Sequence, residues 1–164
     1  YKGEAGKETI RIIEFSDFSC PACENAYFYL KNAQDYFRNI QLVFKHYPLT
    51  DIHPNAFKAS IWAECAGKEY NRFWDFADEL FKNRKEWSFT KDPNVFFKKY
   101  ARKISMDENL LEKCSISSNA SEIVKNDIRE GDELKVDATP TFFVNGKKAV
   151  GTYQLIEILK KELK

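Results

Sequence analysis

The 164 residues are 43% hydrophobic and 15% aromatic, enough apolar surface for one domain with a sizeable core. The 26 Lys and Arg against 25 Asp and Glu leave a net charge of +1, which excludes the broad basic field that a nucleic-acid backbone requires of a partner. No run approaches the roughly 20 apolar residues that span a bilayer, and the start YKGEAGKE is polar. The expectation is a soluble mature protein from which an export signal or membrane tether has been removed.

In chain order, strands come at both ends and helices between. IRIIEF (10–15) is a short, apolar, β-branched run suited to a buried strand, and IQLVFKHY (40–47) is a second. Between them Ala26, Leu30, Ala33 and Phe37 recur at helical spacing, so the segment reads as a βαβ unit with parallel neighbouring strands. From about 55 to 135 the strand signal is absent. Ala56 to Ala66 reads as a helix stopped by Gly67, Tyr70 to Phe81 as a second helix, and Asp92-Pro93 as the opening of a third that runs through Tyr100. Ser105 and Glu108 match a capping box ahead of Leu110, Leu111 and Cys114, and a further helix carries Ile123, Val124 and Ile128. The aromatic groups FWDF and FFKKY have helical spacing and read as core, with some rings left to line a groove.

The last segment returns to strands. TFFV (141–144) and KKAV (147–150) flank Asn145-Gly146, a tight-hairpin signal because both turn residues tolerate positive φ. Thr152 is then the cap of a final helix that buries Leu155, Ile158, Leu159 and Leu163. The fold class is α/β, with 1–54 and 136–164 forming one strand-bearing domain and 55–135 a compact all-helical insertion.

The stretch FSCPACENA carries the chemistry. A Cys-x-x-Cys directly after a strand and at the mouth of a helix places Cys20 beside free backbone N–H groups and the positive end of the helix dipole, which favours thiolate over thiol. Pro21 suits the first helical turn. Cys23, one turn further in, is expected to be more buried and closer to neutral, ready to attack a mixed disulfide on Cys20. Two other uses of the motif compete. Half a zinc site lacks its second close pair, since Cys65 and Cys114 lie far apart and His46 and His53 are isolated. A purely structural disulfide across two residues gains little closure entropy.

FSCPAC after IIEFSDF, together with DATPTFFVNG and the helices between, resembles the DsbA-like thiol:disulfide oxidoreductases of the thioredoxin superfamily over nearly the whole chain. The resemblance implies a thioredoxin fold, a mixed parallel and antiparallel sheet flanked by helices, with the helical subdomain inserted. It implies that Cys20 and Cys23 are catalytic, with Pro21 and Ala22 between them, and that Pro140 is a cis-proline with Thr139 before it. The competing reading of Pro140 is a trans proline starting a strand. Thr139 could pair with an extended substrate chain. The family often holds an acidic residue beneath the cysteines with a lysine nearby, and Glu14 and Lys45 match those positions; Glu14 is either a proton relay or a paired charge at a strand end.

Many strongly oxidising relatives have His where this chain has Ala22, so a weaker oxidant is expected. Cys65 and Cys114 match places where relatives carry cysteines, as a second disulfide or as two buried free thiols. His53 either lines the catalytic surface or is a loop histidine that meets solvent or caps a helix.

By the same resemblance the chain inserts disulfides into unfolded or partly folded exported proteins with free cysteines, in the periplasm or another extracytoplasmic bacterial compartment. No metal, organic cofactor or nucleic acid is involved, and a membrane reoxidant of the DsbB or VKOR type is implied. A reductase or isomerase, or a noncatalytic binding module of the same fold, are the alternatives.

Overall fold

A computed structural model describes residue 2 and residues 9–163; apart from Lys2, the polar start 1–8 lies outside the described residues. Strand β1 (Ile10–Ser16) leads through a short loop into helix α1 (Pro21–Tyr36), and β2 (Ile40–His46) follows. The two strands are parallel and in register from Ile10 opposite Ile40 to Ser16 opposite His46. Strands β3 (Thr141–Val144) and β4 (Lys147–Val150) make an antiparallel hairpin, and β3 also pairs antiparallel with β1. The order is β2-β1-β3-β4, a mixed sheet with β1 in its interior. Asn145 (φ 47°) and Gly146 (φ 84°) supply the left-handed turn that joins the hairpin.

Side chains alternate across the sheet, and the two faces differ. Ile10, Ile12, Leu42, Phe142 and Val144 pack against Ala26 and Leu30 of α1 and against Leu155 and Leu159 of α8 (Gly151–Glu162). On the opposite face α7 (Ser118–Glu133) runs over Phe15 and Tyr47, and Gly131 makes that approach possible. A Cβ there would meet the Tyr47 ring at 2.7 Å and the Phe15 ring at 3.1 Å.

The insertion comprises α2 (Ala56–Tyr70), α3 (Phe73–Lys82), the single turn α4 (Arg84–Trp87), α5 (Asn94–Lys103), α6 (Glu108–Ser115) and α7. Its apolar cluster includes Trp62, Phe76, Phe81, Trp87 and Phe97, and it also takes in Phe18, Cys20, Cys23 and Tyr27 from the strand-bearing part. Phe18 stacks on Phe44 (centroids 5.1 Å) and lies 4.9 Å from Phe81, so α3 forms a wall over the loop after β1. Cys65 and Cys114 are joined by a disulfide that ties α2 to α6 across 49 residues.

Several local readings are corrected. Helix α2 does not stop at Gly67 but continues to Tyr70 and ends on Asn71 in the left-handed region (φ 54°). Gly67 lies inside the helix, where an added Cβ would sit 3.3 Å from the Phe73 Cβ. The cap of α6 is Asp107, whose carboxylate accepts from the N–H groups of Asn109 and Leu110, while Ser105 adopts φ 60° ahead of the helix. Helix α8 starts at Gly151, with Thr152 already inside it. Phe37 follows the end of α1 and is 41% exposed, and Ile123 faces outward.

Candidate active site

Cys20 is the N-cap residue of α1, with extended backbone angles (φ −78°, ψ 124°) and Pro21 immediately after it. Its N–H donates to the Asp17 carbonyl at 3.1 Å, and its own carbonyl accepts from Glu24 N–H at 3.1 Å, which pins the turn into the helix. Pro21 and Ala22 are exposed. Cys20 keeps only 7% of its surface open and Cys23 none; both are free thiols.

The two sulfurs differ in their electrostatics. The Cys23 thiol, donating to Cys20, is the largest cause that pulls the Cys20 thiol down from 9.0 to about 6. Burial works against it, while the Thr139 side chain and the N–H groups of Cys23 and Ala22 add to it. The Thr139 hydroxyl has no complete hydrogen bond among the described residues, so it acts from beside the sulfur. Burial pushes the Cys23 thiol well above its ordinary value, and the bond it donates to Cys20, the Cys20 charge and Glu14 push it further. Against these stands the Asp17 N–H, which points at Cys23 Sγ from 3.5 Å.

The Thr139–Pro140 peptide bond is cis, and the Thr139 carbonyl oxygen lies 3.6 Å from Cys20 Sγ. Pro140 is buried and Thr139 half-buried. Thr141 Oγ1 donates to the Ala138 carbonyl at 2.7 Å, which secures the turn ahead of β3.

Glu14 is fully buried on the sheet face covered by α1, and neither of its carboxylate oxygens has a hydrogen-bond partner among the described residues. Burial raises its carboxyl from 4.5 to about 7; Ser16 opposes the rise without completing a hydrogen bond, and Cys20 adds to it. The expected Lys45 neighbour is not there. Lys45 is opposite Phe15 in the register, hence on the other face from Glu14, and its ammonium bonds Glu130 at 2.7 Å and Asp127 at 3.3 Å on α7. Partial burial works against the Lys45 charge, but the two carboxylates more than offset it and hold its pKa above the ordinary value.

Both histidines are buried and sit beside a carboxylate. His53 neither meets solvent nor caps a helix: it is 9% exposed, and its Nδ1 lies 2.7 Å from Oδ2 of the fully buried Asp17. His46 is buried, with Nε2 2.7 Å from Glu64 Oε1. Asp17 had no signal in the sequence beyond its place three residues before Cys20, because its partner is 36 residues away. Among the described residues, no three His, Cys, Asp or Glu side chains form a group that could hold a metal ion. Among the described residues, no helix is long and apolar enough to cross a membrane.

A family model described as Thioredoxin matches residues 6–161. The chain is 31% identical over 146 residues to the Na(+)/H(+) antiporter NhaA 1 of Salinispora arenicola, covering 89% of this chain but 22% of that protein. It thus spans about a fifth to a quarter of the length of the first curated relatives it matches. It is also 28% identical over 166 residues to a probable disulfide bond formation protein D of Bacillus cereus, covering 94% of this chain and 74% of that one. The crystal structure of oxidised BdbD from Bacillus subtilis superposes with a TM-score of 0.82 at 20% identity, over 98% of this chain and 90% of the other. Sequence and architecture agree: the chain belongs to the thioredoxin family, and its fold, helical insertion included, is of the DsbA-like type.

Proposed function

We propose that the chain is a thiol:disulfide oxidoreductase acting through Cys20 and Cys23. The observation that carries this reading is the asymmetry of the pair. One sulfur stands at a helix N-terminus with its thiol drawn down to about 6, and its neighbour is sealed in and held neutral. In the oxidising direction a substrate thiolate attacks Cys20 Sγ of the Cys20–Cys23 disulfide. A mixed disulfide forms and Cys23 leaves as a thiolate that takes a proton. A second substrate thiolate then attacks the substrate sulfur, forms the product disulfide and expels Cys20 as the stabilised thiolate.

Glu14, buried and half-protonated near neutral pH, is suited to give and take the Cys23 proton. The Thr139 backbone, beside Cys20, is suited to align an extended chain by strand-like hydrogen bonds. The substrates of this reading are unfolded or partly folded exported proteins with free cysteines. The setting is extracytoplasmic, and reoxidation passes to a membrane partner of the DsbB or VKOR type. The bonded Cys65 and Cys114 support an oxidising compartment.

Cys23→Ser tests the reading. The variant keeps Cys20, whose thiolate attacks a disulfide in an oxidised substrate protein and displaces one of its thiols, and no Cys23 thiol is left to resolve the product, so mixed disulfides with such proteins accumulate and dissolve on reduction. A noncatalytic binding module traps none. Equilibration with glutathione then separates an oxidase from a reductase or isomerase by the potential of the pair, with Ala22 in place of His favouring a weaker oxidant.

A further inference from the structure

Opening the Cys20–Cys23 disulfide puts charge on a sulfur that is sealed from solvent. When an incoming thiolate bonds to Cys20 Sγ, the old S–S bond breaks and its electron pair departs on Cys23. Cys23 is fully buried within the cluster of Phe18, Tyr27, Phe76 and Phe81. The Asp17 N–H, at 3.5 Å from Cys23 Sγ, is the backbone donor there. A donor aimed at the atom where charge develops is worth more in such a setting than in water.

Asp17 is held by more than its place in the chain. Its Oδ1 accepts from Ser19 N–H at 2.7 Å. Its Oδ2 accepts from Leu49 N–H at 2.9 Å and lies 2.7 Å from His53 Nδ1. A carboxylate only accepts, so Nδ1 carries the proton. The turn that presents both donors is closed by His53 N–H to the Leu49 carbonyl at 2.8 Å. The Asp17 main chain thus touches both cysteines, through its N–H to Cys23 and its carbonyl to Cys20, while its side chain is anchored to the segment between β2 and α2.

We infer that His53 is a positioning residue for thiol exchange: through the Asp17 carboxylate it fixes the peptide N–H that receives the Cys23 sulfur as the disulfide opens. This rests on the exchange reading above and adds to it a residue from outside the Cys-x-x-Cys and Thr-Pro motifs. His53 itself touches neither sulfur. Its effect passes through one buried carboxylate and the N–H of the same residue.

The test is the second-order rate at which reduced glutathione opens the Cys20–Cys23 disulfide, followed by acid quenching and thiol labelling at pH 7. His53→Phe keeps a flat ring but removes the donor. His53→Asn keeps an N–H near the place of Nδ1. The Phe variant is expected to react about tenfold more slowly, the scale of weakening one hydrogen bond to a charged group, and the Asn variant within about threefold of the parent. A Phe variant that is folded by its melting transition and reacts within about twofold of the parent overturns the inference. So does an Asn variant no faster than Phe, since a merely space-filling histidine gains nothing from the restored donor. If Phe does not fold, His53→Ala takes its place under the same criterion. A parent protein that glutathione does not reduce sinks the exchange reading itself, whereas a reactive parent matched by the Phe variant sinks only the role of His53.

Discussion

Replacing Glu14 by Gln separates the cost of a buried charge from everything else at the site. Burial moves the Glu14 carboxyl from 4.5 to about 7 in the folded chain, while the unfolded chain ionises it freely. The sign is opposite to that of a salt-bridged carboxylate: the neutral acid is tolerated below pH 4.5, and stability drains away as pH rises from 4.5 to about 7. At about 1.4 kcal/mol per pH unit, the loss between pH 5 and pH 8 is about 2 to 3 kcal/mol. The amide of Glu14→Gln does not titrate, and its own cost of burial is the same at both pH values. Urea unfolding of both proteins at pH 5 and pH 8, under identical reducing conditions, therefore isolates the carboxyl; the Cys20 titration and the Cys65–Cys114 bond are common to both and cancel to first order. The variant is expected to gain about 2 to 3 kcal/mol on the parent between those pH values. Two stability profiles parallel to within about 0.5 kcal/mol would show that Glu14 ionises as an exposed group does, and the assignment of a buried proton carrier would fail.

Alkylation of Cys20 by iodoacetamide should rise with a midpoint near pH 6, and Cys23→Ala should move that midpoint upward because the Cys23 thiol is the largest stabiliser of the Cys20 anion; a midpoint near 9 refutes the helix-terminal thiolate. Gly131→Ala should destabilise the protein by about 1 to 3 kcal/mol despite alanine's better helix propensity, since the new methyl meets the Tyr47 ring at 2.7 Å. Thermal unfolding decides this, and a raised melting temperature counts against the packing described. Joint replacement of Cys65 and Cys114 by Ala should cost up to about 4 kcal/mol from the loop of 49 residues they close, measured by denaturation with the Cys20–Cys23 pair intact.

What the sequence disclosed follows the range of the interactions involved. Strands β1 and β2, the Asn145-Gly146 hairpin and the place of Cys20 at a helix mouth are written in neighbouring residues, and they emerge at the expected positions. The failures belong to contacts that local pattern does not encode. Gly67 resembles a helix stop because glycine commonly ends helices, yet here it admits Phe73, and the stop falls to Asn71. Ser105 and Glu108 have the spacing of a capping box, but Asp107 takes the cap. Helix α4 is a single turn, Arg84–Trp87, too short to show a period. Glu14 and Lys45 were each placed on the right strand, and only the register reveals that they face opposite ways. The coupling of Asp17 to His53 spans 36 residues and a turn of chain, so only the fold brings it into view.

The cysteine pair shares one apolar cluster with the inserted helices, not with the layer between the sheet and α1. That has a consequence for anyone hoping to move this chemistry elsewhere. Grafting the tetrapeptide Cys20–Cys23 onto a minimal scaffold that lacks the wall of Phe76 and Phe81 would transfer the reagents without their solvent. Conversely, if the pair exchanges disulfides as proposed, changes in α3, remote in sequence from the motif, would alter the surroundings of both sulfurs while leaving the tetrapeptide untouched.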